Sequence, residues 1–156
     1  MVLRVVLAGG GTAGHVNPLL ATADVLEGRG HKIEVLGTKE GLESTLVPAA
    51  GLKLHTLPKV PIPRRPSKDL LPVPARLKSA TKIAEEVLGG ADVLVGFGGY
   101  VSAPAYIAAS RLGVPFVVQE QNVRPGWANR LGARSAKSVS LTFPQTRLAA
   151  RHGKQK

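Results

Sequence analysis

Short apolar segments alternate with longer amphipathic ones along most of the chain. A short apolar run predicts a buried strand, because parallel strands covered on both faces are apolar along their length. Apolar residues three or four apart, such as Leu19, Ala23 and Leu26, predict a helix with one core-facing stripe. The order of these segments predicts an α/β fold, a Rossmann-like parallel sheet with helices on both faces. The predicted strands are Leu3–Ala8, Lys32–Gly37, Leu52–Leu57, Asp92–Gly96, Phe116–Gln119 and Ser138–Leu141, and the predicted helices are Pro18–Arg29, Leu42–Ala50, Pro74–Leu88, Ala103–Leu112 and Trp127–Ala133.

Length and composition indicate a folded domain. The 156 residues are 44% hydrophobic with a mean hydropathy of +0.07, which predicts one globular domain over residues 1–150 and a polar, frayed tail over 151–156. No apolar run approaches the roughly 20 residues that span a bilayer, and no signal peptide is expected at the N-terminus. The chain has no cysteine, and its four histidines lack the spacing of metal ligands, so we expect neither disulfides nor a metal site.

The net charge of +11 is unevenly distributed. Seven basic residues and one acidic residue lie from Lys59 to Lys82, and eight basic residues with no acidic one follow Glu120. This excess favours an anionic partner (nucleic acid, an acidic lipid surface or a phosphorylated substrate), with a merely solubilising face as the alternative. The six aromatic residues do not alternate with basic ones as stacking platforms would, so nucleic acid is not expected as the partner.

A glycine-rich loop, Gly9-Gly10-Gly11-Thr12-Ala13-Gly14-His15, follows the first predicted strand. Glycines let the backbone approach a ligand closely, and N–H groups at the start of a helix favour an anion such as a pyrophosphate. The loop also fits the dinucleotide pattern G-x-G-x-x-G, so an NADP-type dinucleotide-binding domain is an alternative, as is a simple tight turn. NAD is disfavoured, because Gly37-Thr38-Lys39 stands where an acidic residue would bind the ribose.

Two further segments follow later strands. Gly96-Phe97-Gly98-Gly99-Tyr100-Val101-Ser102 offers more backbone amides, with Ser102 as a predicted helix N-cap and Tyr100 as a packed aromatic or a platform for a sugar. Gln119-Glu120-Gln121-Asn122, followed by Asn129, offers groups that hydrogen-bond sugar hydroxyls or an N-acetyl group, unless it is only a capped loop. Ligands of open α/β sheets bind at the carboxyl edge of the strands, so these segments are expected to share one site.

The three segments together resemble the MurG family, the UDP-N-acetylglucosamine transferases that act on the lipid-linked muramyl-pentapeptide of peptidoglycan. Gly10–His15 resembles the first loop of that family and Gly96–Ser102 the second. Glu120-Gln121-Asn122 with Asn129 resembles the next signature. The resemblance runs from Val2 to Pro144 in the same order and spacing.

The resemblance implies the N-terminal half of a GT-B glycosyltransferase, which is built from two Rossmann-like domains. In this family the N-terminal half binds the lipid acceptor (lipid I), and the C-terminal half, which is not expected in this chain, holds most of the donor nucleotide. The implied reaction is inverting transfer of N-acetylglucosamine from UDP-GlcNAc to the C4 hydroxyl of the muramyl sugar, with no cofactor besides this donor. The chain alone is expected to be inactive. A split eukaryotic relative that acts on dolichol-linked sugar is the alternative within the resemblance.

The resemblance also implies roles for single residues. His15 is the expected base for the acceptor hydroxyl, because an imidazole titrates near neutrality, or else it only holds the loop. Glu120 is expected to orient Asn122 or His15. Gln119 stands where the family usually has His, so hydrogen bonding is expected there but no imidazole chemistry. The expected substrate-binding residues toward the donor are Thr12, Ala13, Gly14 and Asn122. The amides of Gly11 to Gly14 and those around Gly98, Gly99 and Tyr100 are expected to bind the acceptor pyrophosphate, and Ser102 and Asn129 are also expected to bind substrate.

The stretch from Pro58 to Pro74 contains six prolines, so it is predicted to extend away from the sheet. Apolar and basic residues alternate from Pro58 to Lys82, and the resemblance implies a patch that faces an anionic membrane. Apolar groups would enter the headgroup region, and each cation near the surface would contribute about 1 kcal/mol. The expected location is the cytoplasmic face of the plasma membrane, and a loop packed on its own domain is the alternative. The expected members of the patch are Ile62, Arg64, Arg65, Leu70, Leu71 and Arg76.

Overall fold

The computed structural model describes residues 1–60, 68, 71–151 and 154–155. Strands and helices alternate along the chain, as the hydrophobic pattern predicts. The strands are β1 (Arg4–Ala8), β2 (Lys32–Gly37), β3 (Lys53–Thr56), β4 (Val93–Gly96), β5 (Phe116–Glu120), β6 (Ser138–Leu141) and β7 (Lys154–Gln155), and the helices are α1 (Ala13–Gly28), α2 (Glu43–Ala49), α3 (Val73–Leu88), α4 (Ser102–Leu112) and α5 (Trp127–Ala133).

The strands form one parallel sheet in the order β3-β2-β1-β4-β5-β6-β7. Val5 of β1 lies between Ile33 of β2 and Val93 of β4. The strand order reverses between β1 and β4, and a doubly wound sheet binds its ligands at this point, beyond the carboxyl ends of the strands. The loops that follow β1 and β4 are therefore neighbours at this edge.

Two apolar cores cover the two faces of the sheet. Successive side chains of a strand point to opposite faces, so Val5 and Leu7 enter one core while Val6 and Ala8 enter the other. The first core also contains Leu19 of α1 and Val47 of α2, and the second contains Ala84 of α3, Ala105 of α4 and Ala133 of α5. The prediction of a parallel sheet with helices on both faces is confirmed.

The start of the first helix and the predicted tail differ most from the structure. The helix expected from Pro18 begins at Ala13, because Thr12 in an extended conformation (φ −133°, ψ 157°) ends the loop there. Pro18 therefore lies inside α1, and His15 lies in its first turn. The tail expected to be frayed instead contributes β7, which pairs with Ser138 and Val139. In the part of the chain that the structure describes, no helix is long and apolar enough to cross a membrane.

Candidate functional site

The first glycine loop joins β1 to α1 and leaves part of its backbone open. Gly11 has a φ of +89°, a conformation that favours glycine. Its N–H binds Glu43, and the N–H of Gly9 binds the carbonyl of Leu36. The N–H groups of Thr12, Ala13 and Gly14, all exposed residues, have no acceptor among the described residues. These three groups are available to an anion at the start of α1.

The second glycine loop lies directly against the first. Gly98 and Gly99 have φ values of +96° and +82°. A Cβ on Gly99 would lie 2.6 Å from the Gly10 carbonyl oxygen, and one on Gly98 would lie 3.2 Å from Nε2 of His15. Only glycine at both positions lets the loops approach this closely. The two loops therefore form one continuous surface at the carboxyl ends of the strands, which we call the ligand edge of the sheet.

Ser102 anchors the second loop rather than facing outward. Its side chain is fully buried, and its hydroxyl accepts the N–H of Gly98 at 3.0 Å. The hydroxyl also lies 3.0 Å from the Ala8 carbonyl oxygen and 2.9 Å from that of Gly98. Ser102 is the first residue of α4, whose N-cap is Val101, so the predicted N-cap at Ser102 is wrong by one residue. All these partners are internal, which makes Ser102 a support for the loop.

His15 lies where the two loops meet, with Nδ1 hydrogen-bonded and Nε2 without a hydrogen-bond partner among the described residues. Its Nδ1 is 3.1 Å from the Gly10 carbonyl oxygen and 3.0 Å from the Thr12 hydroxyl. A carbonyl oxygen only accepts, so Nδ1 carries the proton and Nε2 keeps the lone pair. Burial lowers the pKa of His15, opposed by the Gly10 hydrogen bond and the negative charges of Glu120 and Glu43. The imidazole is therefore neutral at pH 7, and its free nitrogen is basic.

Glu120 organises the polar segment that follows β5. It is 1% exposed, and its Oε1 accepts the backbone N–H and the side-chain amide of Asn122 at 2.9 and 3.0 Å. Its Oε2 accepts the N–H of Gly126 at 3.1 Å and the amide of Asn129 at 2.9 Å. Of the two partners expected for Glu120, Asn122 is the one that it contacts through hydrogen bonds. Asn122 itself is exposed at the edge of the sheet.

Asn129 is buried under the site, although the resemblance implies that it binds substrate. It is 1% exposed; its amide also donates to the Gln119 carbonyl at 3.0 Å, and its carbonyl accepts the Tyr106 hydroxyl at 2.8 Å. In this conformation its polar atoms are occupied by the protein. The side-chain amide of Gln119 donates to the Thr142 hydroxyl at 3.0 Å, so this residue forms a hydrogen bond without an imidazole.

Two residues that the sequence analysis did not single out complete the site. Glu43 is fully buried beneath the first loop, and Lys59 places its ammonium group 5.6 Å from the centre of the Tyr100 ring. The signal for Glu43 was an acidic residue at the start of a short helix. A cavity of about 250 Å³ lies beside the loops, lined by Gly10, Gly11, Thr12, Thr38, Glu40, Gly41, Lys59, Tyr100 and Val101.

The expected membrane-facing residues are described only in part. Ile62, Arg64, Arg65 and Leu70 lie outside the described residues. Leu71 is 81% exposed, and Arg76 is exposed on α3. Among the described residues, no group of three His, Cys, Asp or Glu side chains could hold a metal ion.

The sheet is open and parallel, and two glycine loops touch where its strand order reverses between β1 and β4. These features define a ligand-binding α/β domain of the doubly wound class. Comparison with known proteins narrows this class. Residues 5–141 match the family described as the glycosyltransferase family 28 N-terminal domain, and the chain belongs to this family.

Several similar proteins carry the name UDP-N-acetylglucosamine--N-acetylmuramyl-(pentapeptide) pyrophosphoryl-undecaprenol N-acetylglucosamine transferase. One from Nocardioides sp. is 55% identical over 150 residues, covering 94% of this chain and 41% of the relative. Another from Clavibacter sepedonicus is 57% identical over 149 residues, covering 93% of this chain and 41% of the relative. The chain thus spans about two fifths of the length of these curated relatives.

The fold is also that of a solved structure from this group. The crystal structure of Acinetobacter baumannii MurG is 31% identical, with a TM-score of 0.82 over 97% of this chain and 44% of that chain. A Streptomyces glycosyltransferase, SsfS6, shares the fold alone, at 16% identity and a TM-score of 0.60. The resemblance to the MurG family and the prediction of a GT-B half are confirmed.

Proposed function

We propose that this chain is the acceptor-binding half of an inverting glycosyltransferase. The enzyme transfers N-acetylglucosamine from UDP-N-acetylglucosamine to the C4 hydroxyl of a lipid-pyrophosphate-linked N-acetylmuramyl-pentapeptide. The main support is the contact of two glycine loops around His15 at the ligand edge of the sheet. The substrates are those in the names of the similar transferases. Because the chain spans only 41% of such a relative, we assign most of the donor nucleotide site to the remainder of the enzyme.

The acceptor pyrophosphate binds between the loops in this proposal. The free N–H groups of Thr12, Ala13 and Gly14 carry the positive end of the α1 dipole, which favours phosphate oxygens. The N–H groups of Gly99 and Tyr100 likewise have no acceptor among the described residues. The ammonium group of Lys59, which lines the cavity, adds a full positive charge at the cavity wall.

His15 acts as the general base in the transfer step. As the C4 oxygen of the acceptor attacks the anomeric carbon of the donor sugar, Nε2 takes the hydroxyl proton. The bond between that carbon and the β-phosphate oxygen breaks, and UDP leaves with the electron pair. The lowered pKa of His15 keeps the imidazole neutral before the step, which a base requires. Asn122, held by Glu120 through its amide nitrogen, presents its amide oxygen toward the donor sugar.

The test of this mechanism is His15→Ala in the complete two-domain enzyme that contains this half. Loss of a general base typically lowers turnover about 10²- to 10⁴-fold. Acceptor KM should change far less, because the phosphate ligands remain in place. His31→Ala is the matched control, since His31 accepts the N–H of Leu3 near the amino end of β1, away from the site. Near-normal turnover of His15→Ala would remove His15 from the mechanism.

Binding to the chain itself tests the acceptor assignment separately. A short-chain analogue of the lipid-linked muramyl-pentapeptide, titrated into the ¹⁵N-labelled chain, should shift the amide resonances of Thr12, Gly14, Gly99 and Tyr100. Inorganic pyrophosphate should compete with it, because both place phosphate oxygens on the same N–H groups. Saturable binding of NADP at these amides, without binding of the analogue, would instead support a dinucleotide-binding domain.

We also propose that the protein is peripheral at the cytoplasmic face of the plasma membrane, where it meets its lipid-linked acceptor. The support is an exposed apolar side chain, Leu71, close in sequence to the exposed cation of Arg76. Sedimentation with vesicles tests this: binding should increase with the fraction of anionic phosphatidylglycerol and fall with salt. Leu71→Ser with Arg76→Gln should weaken it. Equal binding to neutral and anionic vesicles at all salt concentrations would refute the electrostatic part.

A further inference from the structure

Glu43, the first residue of α2, is a fully buried carboxylate with no ion-pair partner among the described residues. Its Oε2 accepts the N–H of Gly11 at 2.8 Å. Its Oε1 accepts the N–H of Thr38 at 2.8 Å and the Thr38 hydroxyl at 2.7 Å. Burying a charge is costly unless hydrogen bonds compensate, and here the donors come from the loops that follow β1 and β2.

Three glycines make room for this side chain. A Cβ on Gly10, Gly37 or Gly41 would overlap atoms of Glu43, and at Gly10 and Gly41 the overlap would be with the carboxylate itself. These glycines come from the first glycine loop, the end of β2 and the turn before α2. Both loops are therefore shaped around one carboxylate, and both line the cavity beside the site.

A single peptide unit connects Glu43 to His15. The N–H of Gly11 and the C=O of Gly10 belong to the same planar peptide, and in its trans form they point in opposite directions. Glu43 accepts the N–H on one side, while the C=O on the other side accepts Nδ1–H of His15 at 3.1 Å. Movement of this peptide plane would change both hydrogen bonds together, so holding one end orients the other.

We propose that Glu43 is a positioning residue for His15, acting through the Gly10–Gly11 peptide, to which both side chains are hydrogen-bonded. This inference rests on the proposed function of His15 as the base. The carboxylate fixes the peptide plane, the plane fixes the ring and its Nδ1–H tautomer, and Nε2 stays free to accept the proton. Polarisation of the peptide by a negative charge at its N–H strengthens the hydrogen bond at its C=O.

The charge of Glu43 also acts on His15 through space. Burial raises the pKa of Glu43, but hydrogen bonds from Gly11, from its own N–H and from Thr38 outweigh burial and lower the pKa below its usual value. The group is therefore ionised at neutral pH and, together with Glu120, raises the pKa of His15 against the lowering by burial. Loss of the Glu43 charge should consequently lower the pKa of His15.

The test uses ¹⁵N NMR of the His15 ring in the 156-residue chain, with Glu43→Gln as the variant. Glutamine keeps the volume but removes the charge and one of the two acceptor oxygens. We expect a lower His15 pKa, a smaller Nδ1–H fraction, and exchange of the Gly11 amide proton at least about tenfold faster, from the loss of about 1.4 kcal/mol of protection. Glu40→Gln is the matched control, because it removes the same charge from an exposed residue of the same turn. It should change none of these quantities.

Equal His15 titration in wild type, Glu43→Gln and Glu40→Gln would overturn the proposal, as would equal shifts in both variants. If Glu43→Gln does not fold, measurements on the wild-type chain still test the proposal. The proposal requires a protected Gly11 amide and a predominant Nδ1–H tautomer at His15, and it fails if either is missing. Failure of the proposed function would give a different result. His15→Ala would then retain turnover, although Glu43 would still set the pKa and tautomer of the His15 ring.

Discussion

Glu120→Gln changes the charge of a buried side chain with almost no change in volume, so its effect on stability measures the hydrogen bonds of that carboxylate. Each of the two oxygens accepts two N–H donors. In glutamine one oxygen becomes an NH₂ group, so two donors lose their acceptor and face a third donor, whichever way the amide is turned. Hydrogen bonds to charged groups contribute about 1.5–3 kcal/mol each, and relief from burying a charge offsets part of their loss. We expect a net loss of about 2–4 kcal/mol in the free energy of unfolding.

Urea unfolding of the chain at pH 7 measures this loss. With a slope of about 2 kcal/mol per molar urea, the midpoint should fall by roughly 1–2 M at unchanged slope. Glu85→Gln is the control, because Glu85 makes an exposed ion pair with Arg111 whose loss should cost less than about 1 kcal/mol. Equal losses in the two variants, or a loss below about 1 kcal/mol for Glu120→Gln, would refute the interpretation of Glu120 as a fully used acceptor that holds Asn122.

Two further predictions concern the sheet and its core. The pKa of Glu34 is lowered from 4.5 to about 2, mainly by the hydrogen bond from Arg4. The contribution of ionised Glu34 to the free energy of unfolding is therefore complete above pH 4.5 and is lost as the pH falls toward 2. The stability difference between wild type and Glu34→Gln should shrink over this window, and a difference independent of pH would contradict the assignment. Gly132→Ala would place a Cβ 2.5 Å from the Tyr106 ring and should destabilise the chain by about 1–3 kcal/mol in thermal unfolding, whereas Gly28→Ala meets no atom within 4 Å and should not.

Local pattern was sufficient to predict most elements and the place of the site. β2, β6 and α5 have the predicted bounds, and most other ends differ by one residue. Side-chain periodicity and chain breaks are local properties, so they can be read along the sequence. Glycine loops after two neighbouring parallel strands then had to meet at one edge, which is why a site around His15 could be expected.

The tertiary structure alone decided which polar residues face a ligand and which support the site. Glu43 and Gly11 are 32 positions apart, and Ser102 and Ala8 are 94 apart, so no local pattern shows that they pair. Asn129 resembles a binding residue by motif, yet its partners on α4 and β5 turn it inward. Hydrogen-bond satisfaction of a buried group depends on what packs around it, and that is determined only when the strands and helices assemble.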